Sequence, residues 1–355
     1  MMPTKKRKAG TKRTGARGRQ KGKTPRPTST RKKDITGPQR ILVVAIGRGN
    51  TSTDVYPANP AKPVRQAIIP GLGQGLDPLA QAHSYKFQID YVDDEPGNPL
   101  KKRIRNYVTA YGAPAVVFPI ASRATKMARA VFGSPSSVPM VFVVVSDAYA
   151  EQIVGPGQHV TGYSTMLLQM ASECLRHFKQ MLPNSLQTVH AIYYRGTHPT
   201  EAAMPQLQAV AKAVGVSLVP HRLPLYTGFA DIQGVVNAIP DPPQAGLLMV
   251  PDDLVVSWGQ DVIGTAYQKG IPTFVQVVEF VTVSDPSKRA LAGFGMPGLA
   301  IGLQAADYVD KVIMGTSPDQ LPVKPLSAFE WWASQSLVAH FSATVPASAG
   351  VIQKP

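Results

Sequence analysis

The stretch that decides the fold is Val138-Pro139-Met140-Val141-Phe142-Val143-Val144-Val145-Ser146-Asp147-Ala148. Its apolar, β-branched run is too short to cross a membrane, and two small polar residues end it. Such a run is typical of a strand that is buried on both faces of a parallel sheet. Ligands of open α/β sheets bind outside the carboxyl ends of such strands. The sequence therefore predicts that Ser146 and Asp147 lie at a ligand-binding edge.

The same pattern, an apolar run followed by polar residues, recurs from residue 41 onward. Strand and helix patterns alternate, which predicts right-handed βαβ units and a parallel sheet. The alternation is too long for one open sheet of usual width, so we predict an α/β fold with two doubly wound lobes. The predicted strands are 40–46, 85–92, 115–120, 139–145, 188–194, 217–223, 246–250, 273–278 and 291–294, and the predicted helices are 100–111, 123–132, 165–180, 201–214, 230–238, 254–269 and 299–314.

Residues 50–77 interrupt this alternation with four prolines and three closely spaced glycines. Proline breaks helices and glycine weakens them, so any helix predicted here is short. A loop over a ligand cleft and an ordinary surface insertion both fit the composition.

The positive charge is concentrated at the start of the chain. The formal net charge is +15, yet residues 1–40 hold 15 Lys and Arg against one acid, and the rest holds 22 bases and 21 acids. Residues 1–38 contain almost nothing to bury and are predicted to be a disordered basic tail. Such a tail would attract nucleic acid without sequence preference or an anionic surface, although a merely solvated tail or an over-extended gene start fits equally well.

Several functional classes find no support in the sequence. The single cysteine, Cys174, and the scattered histidines predict no metal site. Gly293-x-Gly295-x-x-Gly298 formally fits a dinucleotide fingerprint, but it carries Pro297 and lacks the strand-end acid about 20 residues on, so no cofactor is expected. There is no nucleophile elbow or phosphate-binding loop, and we predict that the protein is not an enzyme. No transmembrane segment is predicted.

Seven segments together resemble one family, the ABC transporter substrate-binding proteins that include tryptophan- and phenylalanine-binding lipoproteins. The run Gly155-Pro156-Gly157-Gln158-His159-Val160-Thr161-Gly162-Tyr163-Ser164 is similar to that family's "PGGNVTG" segment, at which the chain crosses between two lobes. The other similar segments follow in the family's order: 138–148 ("IPIVF…DP"), 181–184 ("LLPN"), 246–253 ("DAIYVPTDN"), 270–272 ("KIPV"), 290–295 ("GALAALGF") and 325–337 (the closing strand and helix).

The resemblance, which covers about residues 40–340, implies a type I periplasmic-binding-protein fold with a cleft between two lobes. It implies lobe one at 39–160 plus 287–322, lobe two at 163–284 plus 323–342, and a C-terminal tail at 343–355. Three chain crossings would form the hinge. The implied function is non-catalytic binding of a small polar solute, an amino acid or related carboxylate, for an ABC permease.

Three features depart from the family. No Sec signal or lipoprotein cysteine is found, so the sequence leaves the location open between the periplasm or cell surface of the family and the cytoplasm. The family's "GFDYYDLG" reads Gly293-Phe294-Gly295-Met296-Pro297-Gly298-Leu299-Ala300-Ile301-Gly302, without its tyrosines and aspartates. The "SD" expected after the late strand reads Val277-Val278-Glu279-Phe280. The last two departures leave the ligand unidentified.

In lobe one, the candidate ligand-binding residues are Ser122, Ser146 and Asp147. Ser122 opens a helix where the family has a "TPAA"-type turn, and it is also a good helix N-cap. Helix N-termini attract carboxylates. Asp147 follows its strand and could equally cap the next turn. Weaker candidates, which follow the first strand, are Asn50, Thr51 and Ser52.

In lobe two, candidates come from the crossing segment and from strand ends. Tyr194 ends a strand and could stack on a ligand or pack in the core. Asp252 and Asp253 match the family's "TDN" and could bind a ligand amine or cap the next helix. Glu279 is a weaker candidate because the apolar run continues after it. The candidates assigned to the crossing segment are Thr161 and Ser164.

Two function classes therefore remain. The first is the solute-binding protein described above. The alternative is an intracellular ligand sensor or regulator that uses the same two lobes, with the basic tail contacting nucleic acid.

Overall fold

The computed structural model describes residues 37–45, 62–93, 99–149, 151–195, 198–224, 227–240, 244–250, 253–347 and 351–354, with only the backbone at 62–66, 198 and 253–257. The predicted tail, apart from residues 37–38, and the candidates Asn50, Thr51, Ser52 and Asp252 lie outside these residues. The strands are β1 (Gln39–Val44), β2 (Phe87–Val92), β3 (Val116–Pro119), β4 (Met140–Val145), β5 (Val160–Ser164), β6 (Thr188–Tyr194), β7 (Ser217–Leu223), β8 (Ala245–Met249), β9 (Thr273–Val275), β10 (Ala292–Gly295), β11 (Lys324–Pro325), β12 (Glu330–Ser334) and β13 (Val351–Lys354).

Nine helices connect these strands in the described part of the chain. They are α1 (Lys62–His83), α2 (Leu100–Tyr111), α3 (Ser122–Phe132), α4 (Leu167–Met181), α5 (His198–Ala213), α6 (Phe229–Asn237), α7 (Asp253–Gln268), α8 (Gly298–Ile313) and α9 (Gln335–His340).

The strands form two separate sheets, which confirms the predicted two-lobed α/β fold. Sheet one has the order β11-β5-β4-β3-β1-β2 and is parallel throughout. Sheet two has the order β13-β12-β10-β9-β8-β6-β7, and within it β10 and β12 pair antiparallel. We call sheet one with its helices lobe one, and sheet two with its helices lobe two.

Strand β4, the apolar run that opened the sequence analysis, lies inside sheet one between β3 and β5. Val141 and Val143 pack on the α1–α8 side, while Met140 and Phe142 pack on the α2–α3 side. All four side chains are fully buried. The prediction of a strand buried on both faces is therefore confirmed.

The prediction of at most a short helix in residues 50–77 was wrong, because α1 spans 22 residues and contains Pro70 and Pro78. Its glycines Gly71 and Gly75 allow α1 to approach α8 closely. A Cβ on Gly71 would lie 2.2 Å from the Leu299 carbonyl oxygen, and one on Gly302 of α8 would lie 2.1 Å from the Ile68 carbonyl oxygen. The two helices thus approach backbone to backbone, and this packing outweighs the low helix propensity of the segment.

Strand β5 differs from the predicted lobe boundaries, which placed 163–284 in lobe two. It pairs with β4 across Met140↔Val160 to Phe142↔Gly162 and so belongs to sheet one. Gly162 makes this pairing close, since a Cβ there would lie 2.0 Å from the Phe142 carbonyl oxygen. The run 155–164 is polar and contains glycines, a composition that is typical of a crossing loop, but residues 160–164 form a strand.

The other two boundaries also shift along the chain. β10, which was predicted within lobe one (287–322), pairs with β9 and β12 in sheet two. β11, predicted within lobe two (323–342), pairs with β5 in sheet one. Within the described residues, lobe one therefore comprises 37–164 and 298–325, and lobe two comprises 167–295 and 330–354.

The predicted C-terminal tail (343–355) contains a strand instead. β13 pairs in parallel with β12, from Trp331↔Val351 to Ser334↔Lys354, and the Lys354 ammonium lies 4.0 Å from the Trp332 ring centroid. This pairing covers the edge of sheet two that β12 would otherwise expose.

Across the described ranges, the structure contains no helix with the length and apolar character needed to span a membrane.

Candidate ligand-binding site

The chain passes between the lobes three times within the described residues. The crossings are 165–166, between β5 and α4; 296–297, between β10 and α8; and 326–329, between β11 and β12. β5 and β11 end at the carboxyl edge of sheet one, and β10 ends at the carboxyl edge of sheet two. β12 starts at that same edge, because Glu330 pairs with Gly295. All three crossings therefore join the carboxyl edges of the two sheets, where ligands of α/β folds bind.

The carboxyl edge of sheet one carries Ser146 and Asp147, as the sequence predicted for this strand. Ser146 is half-buried and Asp147 is exposed. The Asp147 carboxylate accepts a hydrogen bond from the Tyr149 backbone N–H at 3.1 Å. Asp147 thus stabilises the turn that follows β4, which is the capping role that the sequence analysis gave as the alternative to ligand binding. The side chain is also exposed to solvent.

Two residues at the same edge have strained backbones. Ala121, which follows β3, has φ 74° and ψ 161°, and Val144, near the end of β4, has φ 60° at a register shift in its pairing with β5. The Ala121 N–H donates to the Val143 carbonyl at 2.9 Å, so the two strained positions are adjacent. Residues with side chains rarely adopt these conformations, each of which is unfavourable by about 1–3 kcal/mol, and such strain concentrates at functional sites.

Ser122 occupies the first turn of α3, but it is not the N-cap that its sequence predicted. Ala121 holds the cap position and makes no side-chain cap bond. The Ser122 hydroxyl donates instead to the Glu151 carboxylate at 2.6 Å, and Lys126 binds the other carboxylate oxygen at 2.6 Å. Glu151, which the sequence analysis missed, is therefore a buried carboxylate bound at the start of α3.

Thr161 and Ser164 belong to lobe one rather than lobe two. Thr161 is fully buried within sheet one, and its hydroxyl donates to the Leu321 carbonyl at 2.8 Å. Ser164 ends β5 directly before a crossing, and its carbonyl accepts from the Leu326 N–H at 2.9 Å. Ser164 is thus at the carboxyl edge, whereas Thr161 lies three residues inside the strand.

In lobe two, Tyr194 ends β6 at the carboxyl edge and is buried. Its hydroxyl donates to the Thr227 carbonyl at 3.2 Å, and its ring packs in the cluster beneath α6 and α7. Asp253 is the first residue of α7, and only its backbone is described. Asp252, just before it, is outside the described residues.

Glu279 lies in a 3-10 helix (Val278–Val281) and contacts the other lobe. Its buried carboxylate accepts a hydrogen bond from the backbone N–H of Gly298, the first residue of α8. Burial raises the pKa of Glu279, and the nearby Glu330 carboxylate raises it further, while the Gly298 N–H opposes the shift. Glu279 therefore ties lobe two to the positive end of a lobe-one helix beside the crossing at 296–297.

Gln276 is the residue that the sequence analysis missed in lobe two. It directly follows β9 at the carboxyl edge, is 4% exposed, and neither its Oε1 nor its Nε2 has a hydrogen-bond partner within the described part of the chain. An unpartnered buried polar group is unfavourable by about 1–3 kcal/mol. A single amide among Val and Phe residues could have indicated this position. It was overlooked because the predicted strand extended through residue 278 and therefore included Gln276.

The fold and this arrangement of crossings define a class, the two-lobed α/β binding proteins. The family model described as ABC transporter substrate binding protein matches residues 62–346. The chain belongs to this family, whose members are non-catalytic binding proteins. Membership implies a small-molecule ligand and an ABC permease as partners.

Solved structures are similar to this chain across both lobes. A conserved domain protein from Vibrio cholerae O1 biovar El Tor is 23% identical, with 89% of this chain and 99% of that chain covered and a TM-score of 0.69. An ABC domain from Streptococcus pneumoniae in complex with L-Trp is 17% identical (88% and 99% covered, TM-score 0.66). An ABC transporter solute-binding protein from Agrobacterium vitis with bound allitol is 14% identical (87% and 99% covered, TM-score 0.52). No curated protein sequence matches the chain significantly.

Proposed function

We propose that this protein binds a small polar solute between its two lobes and presents it to an ABC permease. The observation that carries the proposal is that all three crossings join the carboxyl edges of the two mostly parallel sheets. A ligand held there contacts both lobes at once and therefore favours their closure about the crossings.

The ligand we propose is an amino acid or a related carboxylate. The first turn of α3 already binds one carboxylate, that of Glu151, through the Ser122 hydroxyl and Lys126, and its backbone N–H groups, which no side chain caps, are suited to a further anionic group. The proposal agrees with the L-Trp bound to the similar Streptococcus pneumoniae domain, although the similar Agrobacterium vitis protein binds a polyol.

Each lobe contributes side chains to the proposed site. In lobe one these are Ser122, Ser146, Asp147 and Ser164, and the strain at Ala121 and Val144 supports a functional edge there. In lobe two, Asp252 and Asp253 bind the ligand amine, while Tyr194 forms the base of the site. Thr161 and Glu279 support the site from within their lobes, since Thr161 donates to Leu321 and Glu279 accepts from Gly298.

Thermal unfolding in the presence of amino acids and polyols tests this function. A ligand at 100 times its dissociation constant stabilises the folded state by about 2.7 kcal/mol, which raises the melting temperature measurably. We expect L-tryptophan or another amino acid to do so, and allitol not to. A panel in which no amino acid or carboxylate shifts the melting temperature would refute the ligand class.

A variant pair tests the site itself. Asp147→Ala should abolish or reduce the ligand-induced shift, while Asp77→Ala, an exposed aspartate on α1, should leave it unchanged. Equal shifts in both variants would remove Asp147 from the site. Small-angle scattering with and without ligand then checks closure, because the radius of gyration should fall on binding.

A second candidate function concerns the basic tail. The concentration of 15 bases in residues 1–40, beside a nearly neutral remainder, favours non-specific contact with nucleic acid. We propose salt-dependent binding of the full chain to duplex DNA that is lost when residues 1–38 are deleted. No binding at low salt would exclude this function.

A further inference from the structure

Helices α2 and α3 lie side by side on the outer face of lobe one and carry an unusual charge pattern. Neither helix contains an acidic residue. Helices α1, α4, α5, α6, α7 and α8 each carry at least one acid. We call this surface the α2–α3 face, and its seven bases are Lys101, Lys102, Arg103, Arg105, Arg123, Lys126 and Arg129.

Several of these bases stand where helix electrostatics disfavours them. Lys101, Lys102 and Arg103 lie in the first turn of α2, and Arg123 lies in the first turn of α3. The N-terminus of a helix carries a partial positive charge, so acidic residues are favoured there and bases are not. A sequence that breaks a local rule repeatedly on one surface indicates a function for that surface.

Neighbouring acids neutralise only part of this charge. Arg103 pairs with Asp93 at 2.7 Å, and Lys126 pairs with Glu151 at 2.6 Å. Lys102 and Arg105 are exposed, and among the described residues neither has an acidic partner. These two bases lie three residues apart on α2 and so project from neighbouring turns of one helix face. Within the part of the chain that the structure describes, the face therefore keeps a net positive charge in contact with solvent.

We propose that the α2–α3 face binds the phosphate groups of an anionic phospholipid bilayer. The chain belongs to a family whose transport partner is a membrane permease, and a bilayer surface offers a plane of phosphates that requires only charge for recognition. The exposed side chains that follow the bases on α2, Asn106, Thr109 and Ala110, offer no ring for a nucleobase to stack on. The exposed Tyr111 has the Arg40 guanidinium over one face of its ring, 4.9 Å from the centroid.

The test is sedimentation of the full chain with vesicles of phosphatidylcholine, with and without phosphatidylglycerol. The variant Lys101→Gln, Lys102→Gln, Arg105→Gln removes three bases from the face. The control Lys86→Gln, Lys212→Gln, Lys288→Gln removes the same charge elsewhere. Because each base near an anionic surface strengthens binding several-fold, the α2 variant should bind anionic vesicles at least about tenfold more weakly, and the control less than about twofold. Binding should also fall as salt rises.

Lys101 and Lys102 lie in the first turn of α2 and Arg105 is exposed, so the triple variant should keep the melting temperature unchanged or raise it, and misfolding does not confound the comparison. Equal weakening in both variants would show that only net charge matters and would overturn the proposal. Failure of the wild-type chain to bind phosphatidylglycerol would overturn it as well. If the α2 variant lost affinity for duplex DNA but not for vesicles, the surface would be assigned to nucleic acid instead.

Discussion

The two lobes share a layered architecture but differ in what they bury. In lobe one, α1 and α8 meet through glycines, and the buried Asp310 carboxylate accepts from the Tyr85 hydroxyl at 2.9 Å and contacts His83 at 3.0 Å. In lobe two, buried His190 and Gln276 keep polar atoms that have no partner among the described residues. Lobe one keeps one such atom among the described residues, the Arg129 Nε, so lobe two retains more of the buried polar groups that can respond to pH and conformation.

The substitution with the largest expected effect disrupts the close packing of α1 against α8 in lobe one. Gly302→Ala places a methyl group against the α1 backbone, so the helices must separate, and the free energy of unfolding should fall by about 3 kcal/mol. Denaturant unfolding followed by circular dichroism measures it.

Gly73→Ala is the matched control in the partner helix. Its Cβ would meet its nearest neighbour, the Ile89 side chain, at an ordinary 3.8 Å, so the better helix propensity of alanine should raise stability by up to about 1 kcal/mol. Equal effects of the two substitutions would contradict the close contact of α1 with α8.

The second prediction concerns pH and lobe two. His190 Nδ1 lies 2.8 Å from His221 Nε2, and burial, with the neighbouring His221, lowers the pKa of His190 to about 4. The unfolded chain, with a histidine pKa of about 6.5, binds more protons between these values. Stability should therefore fall as pH falls from about 6.5 to about 4, by up to about 3 kcal/mol.

His190→Leu isolates this effect. As pH falls from about 6.5 to about 4, the unfolding free energy of the variant should increase relative to that of the wild type. Above about pH 6.5 the difference between the two chains should stay constant. A difference independent of pH would show that the histidine ionises equally well in both states.

The third prediction addresses the unpartnered amide. Gln276→Leu removes a buried group that lacks hydrogen bonds, so it should raise the stability of the ligand-free protein by about 1 kcal/mol. If closure supplies a partner to the amide, the same variant should bind ligand more weakly in calorimetry. Lower stability without ligand would show that the amide is already satisfied.

The smallest effect is expected at Glu279. Its folded pKa is raised, so its contribution to stability is present below the unfolded value of about 4.5 and is lost as pH rises through the folded value. This sign is opposite to that of His190. Glu279→Gln keeps an acceptor for the Gly298 N–H and should remove that loss. Chemical denaturation at pH 4 and pH 8 compares the two chains.

Much of the fold could be predicted from local patterns. The helix at 100–111 and the strands at 188–194 and 217–223 have the predicted limits, because apolar periodicity reports directly on burial. The long α1 could not be predicted, since its stability depends on α8, which lies far along the chain. The lobe assignment of β5 and β10 likewise depends on which strand each one pairs with, and no local pattern specifies that.

For the candidate site, the sequence allowed us to predict the edge of the sheet at which it lies, but not the contacts among its residues. The residues after β4 were placed correctly because strand ends are visible in sequence. The bonds of Ser122 with Glu151 and of Glu279 with Gly298 join residues 29 and 19 positions apart, and only the folded chain brings these residues together.

The contact between α1 and α8 has a consequence for synthesis on the ribosome. Roughly 200 residues, including most of lobe two, separate the two helices along the chain. At translation rates of about 5–20 residues per second, α1 emerges roughly 10–40 seconds before its partner exists. During that interval Ile68, Leu72 and Leu76, which are fully buried in the finished protein, have no α8 to cover them. The first lobe to be made is thus completed only after most of the second has emerged, and a chaperone that shields α1 would act in that interval.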